Sequence, residues 1–211
     1  MYQYLIDNKI CSGFKANNKL KIWSLLFISI VFLINCTSKK NKLTPVSYNQ
    51  FELFVKKTGY ITDAEKYGWS IVQTDVDNFK TVKNANWKIP DGLNKPSSKE
   101  LPVTQVSYND ALAYCKWAKK RLPSYEEYWE LVKKDSRVIV SDNKFPISKV
   151  DAVNIVGNVW DITEIGKDNS VRLAGGSLFC SATTCNGTAK ERKLLVDRET
   201  GNINVGFCVV N

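Results

Sequence analysis

The chain has 211 residues, a formal net charge of +9 and no histidine. Without imidazole, Ser-His-Asp triads, histidine acid–base chemistry and histidine-ligated zinc or iron are excluded. The lysines and arginines are dispersed rather than blocked, so the positive excess reads as solvated surface and not as a nucleic-acid footprint.

Lys15, Lys19 and Lys21 precede Ile22 to Ile34, thirteen uncharged and mostly apolar residues. That run is shorter than the roughly 20 residues a membrane-spanning helix needs. A basic stretch before a short apolar core is the pattern of a secretory signal. It ends in Leu33-Ile34-Asn35-Cys36, which resembles a bacterial lipobox, with Asn35 where Gly, Ala or Ser is usual. The expectation is a signal peptide over residues 1–35 and a lipidated Cys36 that starts the mature protein. A polar tether over residues 36–44 then leads into one domain over residues 45–211. Such a protein is an exported lipoprotein of the bacterial cell envelope, periplasm-facing or on the surface, held to the membrane by its lipid. Export also argues against nucleic acid as a partner. Beside Cys11 and Cys36 the chain has Cys115, Cys180, Cys185 and Cys208. Four cysteines in an exported domain allow three pairings, and the sequence leaves them open.

Three helices are marked by their caps. Ser47-Tyr48-Asn49-Gln50 has the capping-box pattern, followed by Phe51, Phe54 and Val55 at helical spacing and Gly59 as a stop. Ser107-Tyr108-Asn109-Asp110 opens a second helix with Ala111, Tyr114, Cys115 and Ala118 on its apolar face. Lys119 and Lys120 sit in its last turn, where cations suit the helix dipole. Pro123-Ser124-Tyr125-Glu126-Glu127 opens a third, with Tyr128, Leu131 and Val132 inward. Between them, Asp75 to Glu100 reads as polar loop, with a turn at Pro90-Asp91-Gly92 and an exposed stretch from Asn94 to Lys99. Short extended segments are expected around Val138 to Val140, Val171 to Leu173 and Val205 to Val210. Helices first and irregular, strand-poor sequence after them indicate a coil-rich α+β domain.

In Gly175-Gly176-Ser177-Leu178-Phe179-Cys180 and on to Cys185, a glycine pair runs into a serine and two cysteines four residues apart. Two readings stand side by side: a short disulfide that staples a loop, and a reactive thiolate pair suited to a soft metal or to redox work.

Several segments align in order with a known family. Thr58 to Ser70 resembles the N-terminal signature of formylglycine-generating enzymes, or sulfatase-modifying factors. Pro102-Val103-Thr104-Gln105-Val106-Ser107, Ala113-Tyr114-Cys115-Lys116-Trp117-Ala118 and Lys120-Arg121-Leu122-Pro123-Ser124 follow, and then Glu127-Tyr128-Trp129-Glu130. Asn154-Ile155-Val156-Gly157-Asn158-Val159-Trp160-Asp161 resembles the family's Gly-Asn-Val-Trp-Glu block, and Gly175-Gly176-Ser177 and Gly206-Phe207 close the series. The resemblance covers residues 45–211 and implies a coil-rich variant of the C-type-lectin-like fold, with Trp69, Trp117 and Trp129 in the core.

The resemblance also implies a site. Cys180 and Cys185 hold the spacing of the family's active pair and would bind Cu(I), which prefers sulfur. A substrate thiol would join them, and dioxygen would oxidise it to the aldehyde formylglycine. The substrate implied is a protein or peptide bearing a cysteine, such as the Cys-x-(Pro/Ala)-x-Arg segment of a sulfatase. Ser177 would position oxygen or substrate, and Trp160 would shape the pocket. For calcium, which takes oxygen ligands, the carried-over set is the Asn154 side chain, the Gly157 and Val159 carbonyls and the Asp161 carboxylate. An ordinary Asn/Gly turn is the alternative there.

The departures are specific. Asp161 replaces Glu, Thr184 replaces a tyrosine, and Asn186-Gly187-Thr188-Ala189 replaces an Arg/Tyr-rich stretch where substrate would lie. Cys208 stands where the family has arginine after Gly-Phe. Some members bond the cysteine matching Cys115 to one just after that arginine, and a one-residue offset on a strand reverses the side chain's face. A Cys115–Cys208 bond is therefore left open. Two functions follow: a copper-dependent oxidase of a substrate cysteine, and a non-catalytic lipoprotein that uses this fold as a binding or assembly module.

Overall fold

Residues 41–75, 77–133, 156–167, 170–179 and 194–211 are described by a computed structural model. Helix α1 (Tyr48–Thr58) starts where its caps place it. Ser47 Oγ accepts from the Gln50 N–H at 3.2 Å, and Gln50 Oε1 accepts from the Ser47 N–H at 2.9 Å. Gly59 ends the helix in the left-handed region at φ 69°, donating its N–H to Val55 O.

A short helix, α2 (Asp63–Tyr67), was not among the expected elements. Five residues are too few for an apolar repeat, and only the Thr62/Glu65 capping box betrays it. Helix α3 (Tyr108–Ala118) carries the Ser107/Asp110 box and ends on Lys119 at φ 53°. In α4 (Tyr125–Lys133), Ser124 Oγ accepts from the Glu127 N–H at 3.1 Å. Asp110 also joins α2 to α3: fully buried, it accepts from the Ser107 and Asp63 backbone N–H groups and the Tyr60 hydroxyl. Burial pushes its carboxyl up to about 6 against the pull of the Ser107 N–H, with the Asp63 charge adding to the rise.

The strands among the described residues are β1 (Thr44–Pro45), β2 (Trp69–Asp75), β3 (Asn78–Lys83), β4 (Trp160–Ile162), β5 (Val171–Ala174), β6 (Leu194–Val196), β7 (Val205–Gly206) and β8 (Cys208–Val209). They make a β1–β8 pair, a β2–β3 hairpin and a four-stranded sheet ordered β6-β5-β4-β7. In that sheet β4 and β7 run parallel, and the other pairs are antiparallel. The α+β, coil-rich class expected from the sequence is the one observed. Strand β3 lies inside the stretch expected to be loop. Nearly all its residues are exposed, so no apolar alternation marked it. The turn at Pro90-Asp91-Gly92 is present, with the Gly92 N–H on Ile89 O at 2.8 Å. The segment around Val138 to Val140 lies outside the described residues.

Two apolar clusters hold the domain. In the first, Phe51 is fully buried and meets Phe54, Trp87, Tyr114 and Phe207 with ring centroids 5.3, 5.4, 6.0 and 6.4 Å away. The second gathers Leu43, Tyr125, Tyr128, Trp129, Val156, Ala174, Cys208 and Val210. The last strand divides between them by simple alternation. Phe207 and Val209 enter the first cluster with Cys115, whereas Cys208 and Val210 enter the second. The two cysteines therefore face different clusters, and no disulfide joins them. Burial pushes the Cys115 thiol up to about 12, so it packs as a small apolar group.

The tryptophans correct the sequence reading. Trp129 is core, but Trp69 and Trp117 are 39% and 38% exposed. Trp117 lays one face on Phe54 and Tyr114, and Trp69 stacks loosely beside exposed Tyr67. An indole can cover a core from outside, which a motif alone cannot distinguish from burial. Among the described residues no helix is long and apolar enough to cross a membrane.

Candidate active site

The glycine pair sets the geometry. Gly175 and Gly176 have φ 87° and 76°, where a side chain is strained. A Cβ on Gly175 would also lie 2.4 Å from the Tyr128 hydroxyl. Tyr128, fully buried on α4, donates that hydroxyl to Asp161 Oδ2 at 2.9 Å. Asp161 sits in the middle of the sheet, opposite Ala174 of β5 and Gly206 of β7. Two backbone bonds strap the glycine loop to the preceding turn: Gly157 N–H to Gly175 O at 2.8 Å, and Leu178 N–H to Asn158 O at 3.1 Å. These contacts bring Ser177, only 2% exposed, to the same cavity as Trp160.

That cavity measures about 510 Å³. Trp160, Ile162 and Leu173 form apolar wall, and Phe79 and Leu195 stand half-exposed at its edge. Asp77 and Asp197 also line it, with no lysine or arginine among the described lining residues. Tyr108 contributes a phenol that burial raises above its ordinary value, so it remains protonated.

Sequence reasoning missed the polar floor. Asn204 Nδ2 donates to Gln73 Oε1 at 2.7 Å and to Ser177 Oγ at 2.9 Å, and Ser177 Oγ also accepts the Phe179 N–H at 3.4 Å. Asn204 is 1% exposed, and its Oδ1 has no hydrogen-bond partner. Leaving such an acceptor unpaired costs about 1–3 kcal/mol. The available signal was Asn204 directly before Val205-Gly206-Phe207, and Gln73 interrupting an apolar strand.

The structure thus brings Ser177 and Trp160 together and sets Gly157, Val159 and Asp161 on the turn into β4. Asn154, Cys180, Cys185 and Cys36 lie outside the described residues. In sequence, Cys180 follows Phe179, which lines the cavity. Among the described residues no three His, Cys, Asp or Glu side chains are grouped to hold a metal.

Residues 41–133 match the sulfatase-modifying factor enzyme 1-like domain. That segment, residues 41–133, carries the sulfatase-modifying-factor family's domain. The chain is 36% identical over 147 residues to the formylglycine-generating enzyme of Bos taurus, covering 58% of this chain and 38% of that protein. It is 42% identical over 106 residues to the formylglycine-generating enzyme of Thermomonospora curvata, covering 41% and 34%. An inactive C-alpha-formylglycine-generating enzyme 2 of Bos taurus is 29% identical over 224 residues, covering 77% and 73%. The chain therefore spans 38% and 34% of the two formylglycine-generating enzymes compared.

Gly175→Ala sets a Cβ against the Tyr128 hydroxyl at a strained φ. The variant is expected to lose about 2–4 kcal/mol, from overpacking and backbone strain together. Urea unfolding measures it, and a midpoint equal to wild type would show that Tyr128 does not fix the loop.

Proposed function

We propose that this chain is an exported lipoprotein that oxidises a cysteine of a substrate protein to formylglycine, with Cys180 and Cys185 holding Cu(I). One observation carries the reading: Ser177 and Trp160 share a cavity lined as far as Phe179, the residue before Cys180. Two thiolates suit a soft d¹⁰ ion, and a chain without histidine offers no competing imidazole. When bound, copper supplies an affinity for the substrate thiol and for dioxygen.

The rest falls to the protein. Trp160 and its apolar neighbours keep water from the reacting atoms, while Ser177, held by Asn204, offers a hydroxyl beside them. Asp77 and Asp197 favour a peptide with a basic residue near its cysteine, as in Cys-x-(Pro/Ala)-x-Arg. In the net change the substrate's Cβ–S bond is replaced by C=O. Dioxygen and two further electrons from a thiol reductant, with two protons, yield the aldehyde, hydrogen sulfide and water.

Calcium is the second proposed ion, on Asn154, the Gly157 and Val159 carbonyls and Asp161. These are oxygen donors of the kind calcium takes, and Asp161 Oδ2 already accepts from Tyr128. A second reading, a non-catalytic binding or assembly module of the cell envelope, is favoured by the likeness to an inactive relative over 73% of its length.

Three measurements test this. Cu(I) titration of the reduced protein should saturate at one equivalent and be lost in Cys180→Ser and in Cys185→Ser; copper-indifferent wild type argues for the binding module. The same protein should melt higher with calcium than with chelator, an effect absent in Asp161→Ala. For the anchor, Cys36→Ala should move from the membrane fraction to the soluble one, and unchanged partitioning refutes lipidation.

A further inference from the structure

A carboxamide has two ends of similar shape and opposite chemistry, so its neighbours decide which way it faces. Here the decision starts at a backbone carbonyl. Asp75 O can only accept, so Gln73 presents Nε2 to it at 2.9 Å and turns Oε1 the other way. Oε1 can only accept, so Asn204 presents Nδ2 at 2.7 Å, and its second hydrogen reaches Ser177 Oγ at 2.9 Å. Ser177 Oγ accepts there and from the Phe179 N–H. Asn204 Oδ1 is left buried and unpartnered in the cavity lining, and Asn202 Oδ1, also buried and unpartnered, lines the same cavity.

We propose that Gln73 is a positioning residue that sets the polarity of the cavity floor. It turns the Asn204 amide so that the NH₂ holds Ser177 and Oδ1 is left as a buried acceptor without a donor. The floor then offers two acceptors, Asn204 Oδ1 and Asn202 Oδ1, and takes a ligand that presents N–H donors, such as the amide edge of an extended peptide. Gln73 itself, 8% exposed on β2, acts through Asn204. The choice of a peptide ligand rests on the oxidase reading; the orientation of Asn204 does not.

The test is side-chain amide NMR on the ¹⁵N-labelled full chain in detergent, with the Asn204 NH₂ assigned by its loss in Asn204→Asp. In wild type both Asn204 protons should exchange on the order of tenfold more slowly than those of exposed Asn78. Gln73→Leu removes one of the two acceptors and should lower the protection of the proton it held severalfold, while the proton on Ser177 Oγ stays protected. Gln73→Glu keeps an acceptor and should retain the protection, with the protons moved downfield by the stronger carboxylate bond. Unchanged protection in folded Gln73→Leu overturns the proposal. If Gln73→Leu does not fold, Gln73→Glu decides, and unmoved or upfield protons overturn it. No copper, peptide or turnover enters this readout, so failure of the oxidase reading appears separately, in the copper titration.

Discussion

The Tyr128–Asp161 hydrogen bond, pressed against a glycine that has no room for a side chain, is the constraint on which the site depends. It joins three parts of the chain that nothing local would bring together. Helix α4 supplies the phenol, the middle strand of the sheet supplies the carboxylate, and the Gly175-Gly176 turn folds over both. A buried phenol or carboxylate without a partner would be costly, so each fixes the other. Once the turn is placed, two backbone bonds from residues 157 and 178 leave Ser177 little choice of position. The parallel β4–β7 pairing then sets Trp160 opposite Val205, next to Asn204.

From there the site is built by orientation more than by charge. Acceptor meets donor in sequence from Asp75 O through Gln73 and Asn204 to Ser177, and Asn204, which lines the cavity, is left with a buried oxygen that no donor meets. The carboxylates of Asp77 and Asp197 add a negative bias around it. Both are exposed, where charge bears on approach and specificity more than on final affinity.

Much of this was legible in the residues. Three helices could be placed from their capping boxes, because a cap is a local hydrogen-bond pattern written within four residues. The Gly-Gly-Ser turn was legible too, since consecutive glycines at positive φ leave a plain mark. What escaped had other causes. The Asp63–Tyr67 helix is too short to show a period, and β3 is wetted on both faces. Trp69 and Trp117 lie on the core rather than within it, which composition cannot tell apart. The Asn204 bond to Gln73 spans 131 residues and depends on tertiary fold alone. The order of helices and strand-poor sequence indicated the α+β class, the resemblance to formylglycine-generating enzymes pointed to the family, and the strand alternation at residues 207–210 explains why Cys115 and Cys208 stay apart.

Family membership and activity are separate matters in a lineage that includes an inactive relative. The measurement that separates them is mass spectrometry of a Cys-x-Pro-x-Arg peptide incubated in air with the reduced, copper-loaded chain and a thiol reductant. An aldehyde in place of the thiol, trapped by hydroxylamine, is expected from the wild-type chain, with none formed by Cys180→Ser or Cys185→Ser. Peptide recovered with its thiol intact, from protein that holds one equivalent of copper, would contradict the oxidase reading.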